Sequence, residues 1–101
     1  MLSKIHVHPD KVMRESVRKL TDLPNIGPSL AKDLELIGIT KPGALANKDP
    51  LDLYKALCEK TGHRQDPCVL DTFISIVRFM SGEEPRVWWA YTAERKEKYK
   101  V

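Results

Sequence analysis

The stretch "DPCVLDTFISIVRFMSG", residues 66–82, constrains the fold more than any other. Val69, Leu70, Phe73, Ile74, Ile76, Val77, Phe79 and Met80 recur at helical spacing, yet together they cover more than half of the helix circumference. A helix that apolar must be wrapped on most sides, so it is expected to be the central, most buried element. Asp66 supplies an N-cap for it, and Pro67 fixes the first helical φ without wasting an N–H.

The rest of the chain reads as the wrapping. "KDPLDLYKALCEKTG" repeats the same start, with Asp49 as cap and Pro50 first. Leu53, Tyr54 and Leu57 share one face, and Gly62 ends the helix. In "GPSLAKDLELIG" the apolar set Leu30, Ala31, Leu34 and Ile37 predicts a helix from about 28 to 37, stopped by Gly38. Val12 or Met13, Val17 and Leu20, following Pro9 and Asp10, predict a first helix over roughly 10–21. A short turn at Ala44–Ala46 is ended by Asn47. Only "KIHVH" alternates like a strand, and it is too short and isolated to found a sheet. The expected fold is all-α, a compact bundle of about five helices. One domain is expected over residues 1–92, because 101 residues with 42% hydrophobic side chains suit a single core. Residues 93–101, "AERKEKYKV", have almost no apolar face and are expected to be a frayed basic tail or an exposed last helix.

No run of about 18 apolar residues occurs, and the N-terminus has no hydrophobic signal segment, so a cytoplasmic protein without membrane contact is expected. The two cysteines, Cys58 and Cys68, are too few for a disulfide framework. The net charge of +3 is segregated. Residues 1–20 carry five basic against two acidic side chains, residues 86–101 the same, and the middle is acidic. Basic ends admit a polyanionic partner, although on charge alone a solvated mixed surface is the better account.

One short stretch bears on function: "LPNIGPS", residues 23–29. Gly27 offers the backbone freedom a sharp reversal needs, and Pro28 starts the next helix. The amides of Gly27, Ser29 and Leu30 then lie at a helix N-terminus, unpaired within the helix and at the positive end of its dipole. Such a terminus can hold an anion, with Lys32 adding attraction. An αα-hairpin that binds nothing is the plain alternative.

The run Leu23-Pro24-Asn25-Ile26-Gly27-Pro28-Ser29, with Ala31 and then Gly38-Ile39, resembles the helix-hairpin-helix motif of non-sequence-specific DNA-binding proteins. It is similar in particular to the hairpin of polymerase beta. The resemblance implies that the amides of Gly27, Ser29 and Leu30 hold a DNA phosphate. It also implies a monovalent cation, K⁺ or Na⁺, on the carbonyls of Thr21, Leu23 and Ile26, the only cofactor expected. Asn25 stands where many such motifs have Gly, and Asn is the non-Gly residue that best tolerates positive φ. More broadly, "DLPNIGPSLAKDLELIGI", "DPLDLYKALCEKTG", "DPCVLDTF" and "WWAYTAERK", in that order, resemble a small bacterial helix-hairpin-helix family of pathogenicity-locus or mitomycin-resistance type. That resemblance implies a bacterial, non-enzymatic protein. The 44–58 region would form a second, degenerate hairpin without the Gly, supporting the first by packing.

Other features have weaker chemistry. Cys58, His63 and Cys68 have the tail spacing of a zinc knuckle, but Lys55 stands where its fourth ligand belongs, and His6 and His8 could complete a site only through an unforeseeable fold. Cys68, at the second position of a helix, is placed where the dipole lowers a thiol's pKa, which would suit a thiol sensor, or else it is a buried structural Cys. Trp88-Trp89 and Tyr91, followed by Arg95, Lys96, Lys98 and Lys100, have the aromatic and basic composition that binds single-stranded nucleic acid. One Trp is expected to close the core and the other to face outward. No catalytic constellation can be read, and no small-molecule substrate is expected. The resulting expectation is a protein that binds the DNA backbone weakly and without reading sequence, accessory to DNA repair or handling. Its site comprises Gly27, Ser29, Leu30 and Lys32, supported by Arg14, Arg18, Trp89, Arg95 and Lys96. The alternative is an adaptor that docks a protein partner through Trp88, Trp89 and Tyr91, with the hairpin as scaffold.

Overall fold

A computed structural model describes residues 9–101, and every described element is helical. The chain forms three short 3-10 turns, Pro9–Lys11, Arg14–Ser16 and Leu20–Asp22, and then helix α1 (Pro28–Leu36). A 3-10 turn at Pro42–Leu45 leads to α2 (Pro50–Thr61) and α3 (Pro67–Met80). A last 3-10 turn, Trp88–Tyr91, runs into the short α4 (Thr92–Glu94), which continues as a π-helical turn over Arg95–Tyr99. Among the described residues the fold is therefore all-α, with four helices rather than about five. "KIHVH" lies outside the described residues.

The centre is α3, as its composition requires. Leu70, Phe73, Ile74 and Ile76 are fully buried, enclosed by Leu57 of α2, Leu34 of α1, Leu45 and Tyr91. Asp49 and Asp66 cap their helices by accepting the amides of Leu51 (2.9 Å) and Cys68 (3.0 Å). Gly62, at φ 76°, takes the left-handed position that ends α2. At the end of α1 the Ile39 amide donates to the Leu34 carbonyl (2.9 Å) and the Gly38 amide to that of Glu35 (3.0 Å). With Gly38 at φ 88°, this is a Schellman motif, and buried Ile39 against Leu34 is its hydrophobic contact.

The expected helix over 10–21 is not there. Side chains take the backbone groups that such a helix would use. The Asp22 carboxylate accepts the amides of Arg18 (2.9 Å) and Lys19 (3.1 Å), and the Arg18 guanidinium donates to the Glu15 carbonyl (2.8 Å). Arg14 reaches across the molecule to the C-terminal end of α3, donating to the carbonyls of Phe79 and Glu83 at 2.7 Å each, 4.9 Å above the Phe79 ring. A cation there meets the negative end of the helix dipole. With Met13, Val17 and Lys19 extended, the segment breaks into single turns.

Residues 93–101 do not fray. Although they have almost no apolar face, they have a polar one that matches α3. The Arg95 Nε donates to Asp71 Oδ1 (2.6 Å), and the Thr92 hydroxyl donates to Asp71 Oδ2 (2.6 Å). Asp71 is 1% exposed and Arg95 7%. One turn pair further along α3, Arg78 pairs with Glu94, and Arg95 also donates to the Val101 carbonyl. Tyr99 and Val101 complete the docking against the core.

Candidate nucleic-acid interface

The turn at 23–29 is built differently from a symmetric pair of helices. Its incoming arm is the single 3-10 turn Leu20–Asp22, and only the outgoing arm, α1, is an α-helix. Leu23, Pro24 and Ile26 are buried and anchor the turn, while Gly27, Pro28 and Ser29 are exposed. The reversal is made by Asn25 at φ 66°, the left-handed position that Asn tolerates. Gly27 is not the hinge expected of it: at φ −98° and ψ −176° it is extended, a conformation open to any residue. A Cβ built on Gly27 would meet no atom within 4 Å. Neither backbone strain nor packing requires glycine there.

Gly27 is the N-cap residue of α1, and no side chain caps this helix. The first helical bond is Ala31 N–H to the Gly27 carbonyl (3.0 Å). Among the described residues, the amides of Gly27, Ser29 and Leu30 find no acceptor. This contrasts with α2 and α3, whose Asp caps close the same position. Lys32, one turn on, is exposed. The carbonyl of Leu23 accepts the Ile26 amide at 3.5 Å, a weak bond that leaves it lone-pair capacity. A cleft of about 630 Å³ flanks the turn, walled by Val12, Met13, Val17, Leu23 and Ile26 and reaching Gly27.

The supporting cations divide. Arg18 and Lys96 are exposed. Arg14 and Arg95 are not available to an outside ligand as expected, because the first is committed to the end of α3 and the second is buried against Asp71. Neither tryptophan closes the core: Trp88 is half-buried and Trp89 is 60% exposed. Tyr91 takes the core position instead, with the Arg78 guanidinium 5.9 Å from its ring centre. Burial pushes its phenol up from the usual range.

The Cys68 thiol is shifted in the direction opposite to that expected. Burial raises its pKa, and the hydrogen bond and charge of the Asp66 carboxylate raise it further. Cys58 accepts the Gln65 amide at its sulfur (3.3 Å). Among the described residues no group of three or more His, Cys, Asp or Glu side chains is placed to hold a metal ion. No helix among them is long and apolar enough to cross a membrane.

Sequence reasoning missed Asn25's side chain, which hydrogen-bonds far across the chain, and the buried Asp71 and Ser75. The available signal was polar residues inside the otherwise apolar run 69–80.

Fold and site define a small all-helical protein in which one helix N-terminus is left open at an exposed turn. The chain belongs to the Cdd1 family, described as "Pathogenicity locus", whose profile matches residues 13–97. It is also similar to the mitomycin resistance protein McrB of Streptomyces lavendulae, 47% identical over 77 residues, which is 76% of this chain and 73% of that protein. No solved structure matches it significantly.

Proposed function

We propose that the chain is a non-enzymatic DNA-binding protein that holds a backbone phosphate on the amides of Gly27, Ser29 and Leu30, accessory to DNA repair or handling. The observation that carries this reading is the bareness of Gly27. The fold requires no glycine there, and its exposed position leaves an uncapped helix N-terminus open to approach. Backbone amides at the positive end of a dipole suit a phosphate oxygen, and Lys32 adds charge. A monovalent cation on the carbonyls of Thr21, Leu23 and Ile26 belongs to the same proposal. The name of the Streptomyces lavendulae relative speaks of drug resistance, so the DNA reading rests on residues 23–32.

Phosphate contacts position a ligand but carry no sequence information. Binding is therefore tolerant of sequence, with a dissociation constant on the order of 10⁻⁶ to 10⁻⁴ M at physiological salt. The test is a titration of labelled duplex and single-stranded DNA at low and moderate salt, with the wild type and with Gly27→Val checked for folding by circular dichroism. Binding that falls with log salt, at a slope of about −1 to −3, and is lost in folded Gly27→Val bears the proposal out. No binding at low salt overturns it and favours the adaptor reading. The exposed Trp89 favours that reading too, but without Tyr91, which is buried.

A further inference from the structure

Asn25 does more than reverse the chain. Its side-chain amide donates to the Ser75 hydroxyl (3.0 Å) and to the Arg86 carbonyl (2.8 Å), and its side-chain oxygen accepts the Trp88 amide (3.2 Å). One side chain thus latches the segment entering Trp88-Trp89 to the turn and to α3. Two residues of backbone span at most about 7 Å, so Gly27 and the Trp88 backbone lie at the same end of the molecule.

The indoles there are ordered against each other. Trp88 and Trp89 stand edge to face, ring centres 5.5 Å apart and planes at 86°. The half-buried Trp88 braces Trp89, which is 60% exposed although the neighbouring Tyr91 is buried. In an edge-to-face pair at least one face of each ring is free of its partner, and an open indole face is a surface on which a nucleobase stacks. Arg86, exposed and two residues before the pair, supplies a cation to this segment, while of the neighbouring acids Glu83 lies 3.7 Å from Arg78 and the exposed Glu84 lines a separate crevice with Arg14, Glu15 and Phe79.

We infer that Trp89, braced by Trp88 and positioned by Asn25, stacks an unpaired nucleobase of DNA, so that the ligand has single-stranded character. This inference rests on the phosphate-binding reading, and it adds what that reading lacks, a preference among DNA structures. Asn25 is a positioning residue: it touches the turn and the Trp segment, not the ligand.

The chain's two tryptophans are both in this pair, so tryptophan fluorescence excited beyond the tyrosine absorption band reports on it alone. The experiment titrates the full chain with short oligo(dT), with an abasic oligonucleotide of equal phosphate count, and with duplex DNA. Oligo(dT) is expected to quench the fluorescence and bind more tightly than the other two. Trp89→Ala is expected to weaken oligo(dT) binding between about 5-fold and about 150-fold, the range of one stacked base, and to leave abasic and duplex binding within about twofold. Trp89→Tyr restores most of the preference. Asn25→Gly, which keeps the left-handed turn, is expected to lose the preference while still binding duplex. Equal, unquenched binding of all three DNAs overturns the stacking inference and leaves the phosphate reading standing. Absence of binding by any of them at low salt overturns both.

Discussion

Replacing Gly27 by Asp separates what the fold needs from what the proposed ligand needs. In the free protein Gly27 is an extended N-cap with no side-chain cap and with open space around a would-be Cβ. An Asp there can accept the Ser29 amide, as Asp49 and Asp66 accept the amide two residues on at the other two helices. The cap contributes a few tenths of a kcal/mol over Gly, the charge at the dipole about 0.3–1, and the loss of glycine's unfolded-state freedom about 0.4–1. The sum is about 1–2 kcal/mol of added stability, or a rise in Tm of roughly 5–10 °C for a chain of this size. The same carboxylate occupies the position proposed for the phosphate and repels it, so DNA affinity is expected to fall by about tenfold or more, a loss of about 1.4 kcal/mol. Thermal unfolding by circular dichroism and a parallel DNA titration read the two effects. A lower Tm would refute the claim that the fold leaves position 27 free. A higher Tm with unchanged DNA affinity would refute the phosphate site.

Three further expectations concern the frame around the site. Arg95→Met leaves Asp71, 1% exposed, as an uncompensated buried charge and should cost about 3–5 kcal/mol in urea denaturation, whereas Arg95→Met with Asp71→Leu should recover most of it; equal losses in both would refute a coupled pair. The backbone amide of Arg18, and then that of Lys19, hold the Asp22 carboxyl below its usual range, so its contribution is present above about pH 4, the unfolded value, and is lost as pH falls through the lower folded one. Asp22→Asn should therefore flatten the acid limb of the stability curve, and an unchanged limb would contradict this. Cys68, its thiol pushed up by burial and by Asp66, should react with a disulfide reagent at neutral pH more slowly than an unfolded control; faster reaction would revive the thiol sensor.

How far the sequence reveals this fold depends on whether the deciding partner is near in the chain. The Asp-Pro starts of α2 and α3, the apolar circumference of α3 and the Gly38 stop of α1 are local signals, and each marks a helix boundary that the structure keeps. The positive φ of Asn25 is local as well. Residues 10–21 have a helical period, but their backbone is claimed by side chains, and Arg14 is drawn to carbonyls 65 and 69 residues away. The tail looks disordered because its docking uses a polar face whose partners, Asp71 and Arg78, lie on a helix read for its apolar residues. The site divides along the same line. The open amides follow from "IGPS" and helix geometry, but the latch from Asn25 to Ser75, Arg86 and Trp88 spans 50 to 63 residues and leaves no local pattern. Gly27 carries the opposite lesson: the sequence suggests a hinge, and the structure places an ordinary extended residue there.

The central claim is that three backbone amides receive a DNA phosphate, and amide chemical shifts recorded on a ¹⁵N-labelled chain during titration with a short abasic oligonucleotide observe those groups directly. The account predicts that the largest shifts fall on Gly27, Ser29 and Leu30 and diminish as salt is added. Shifts that leave these three unmoved while DNA is bound elsewhere would contradict it.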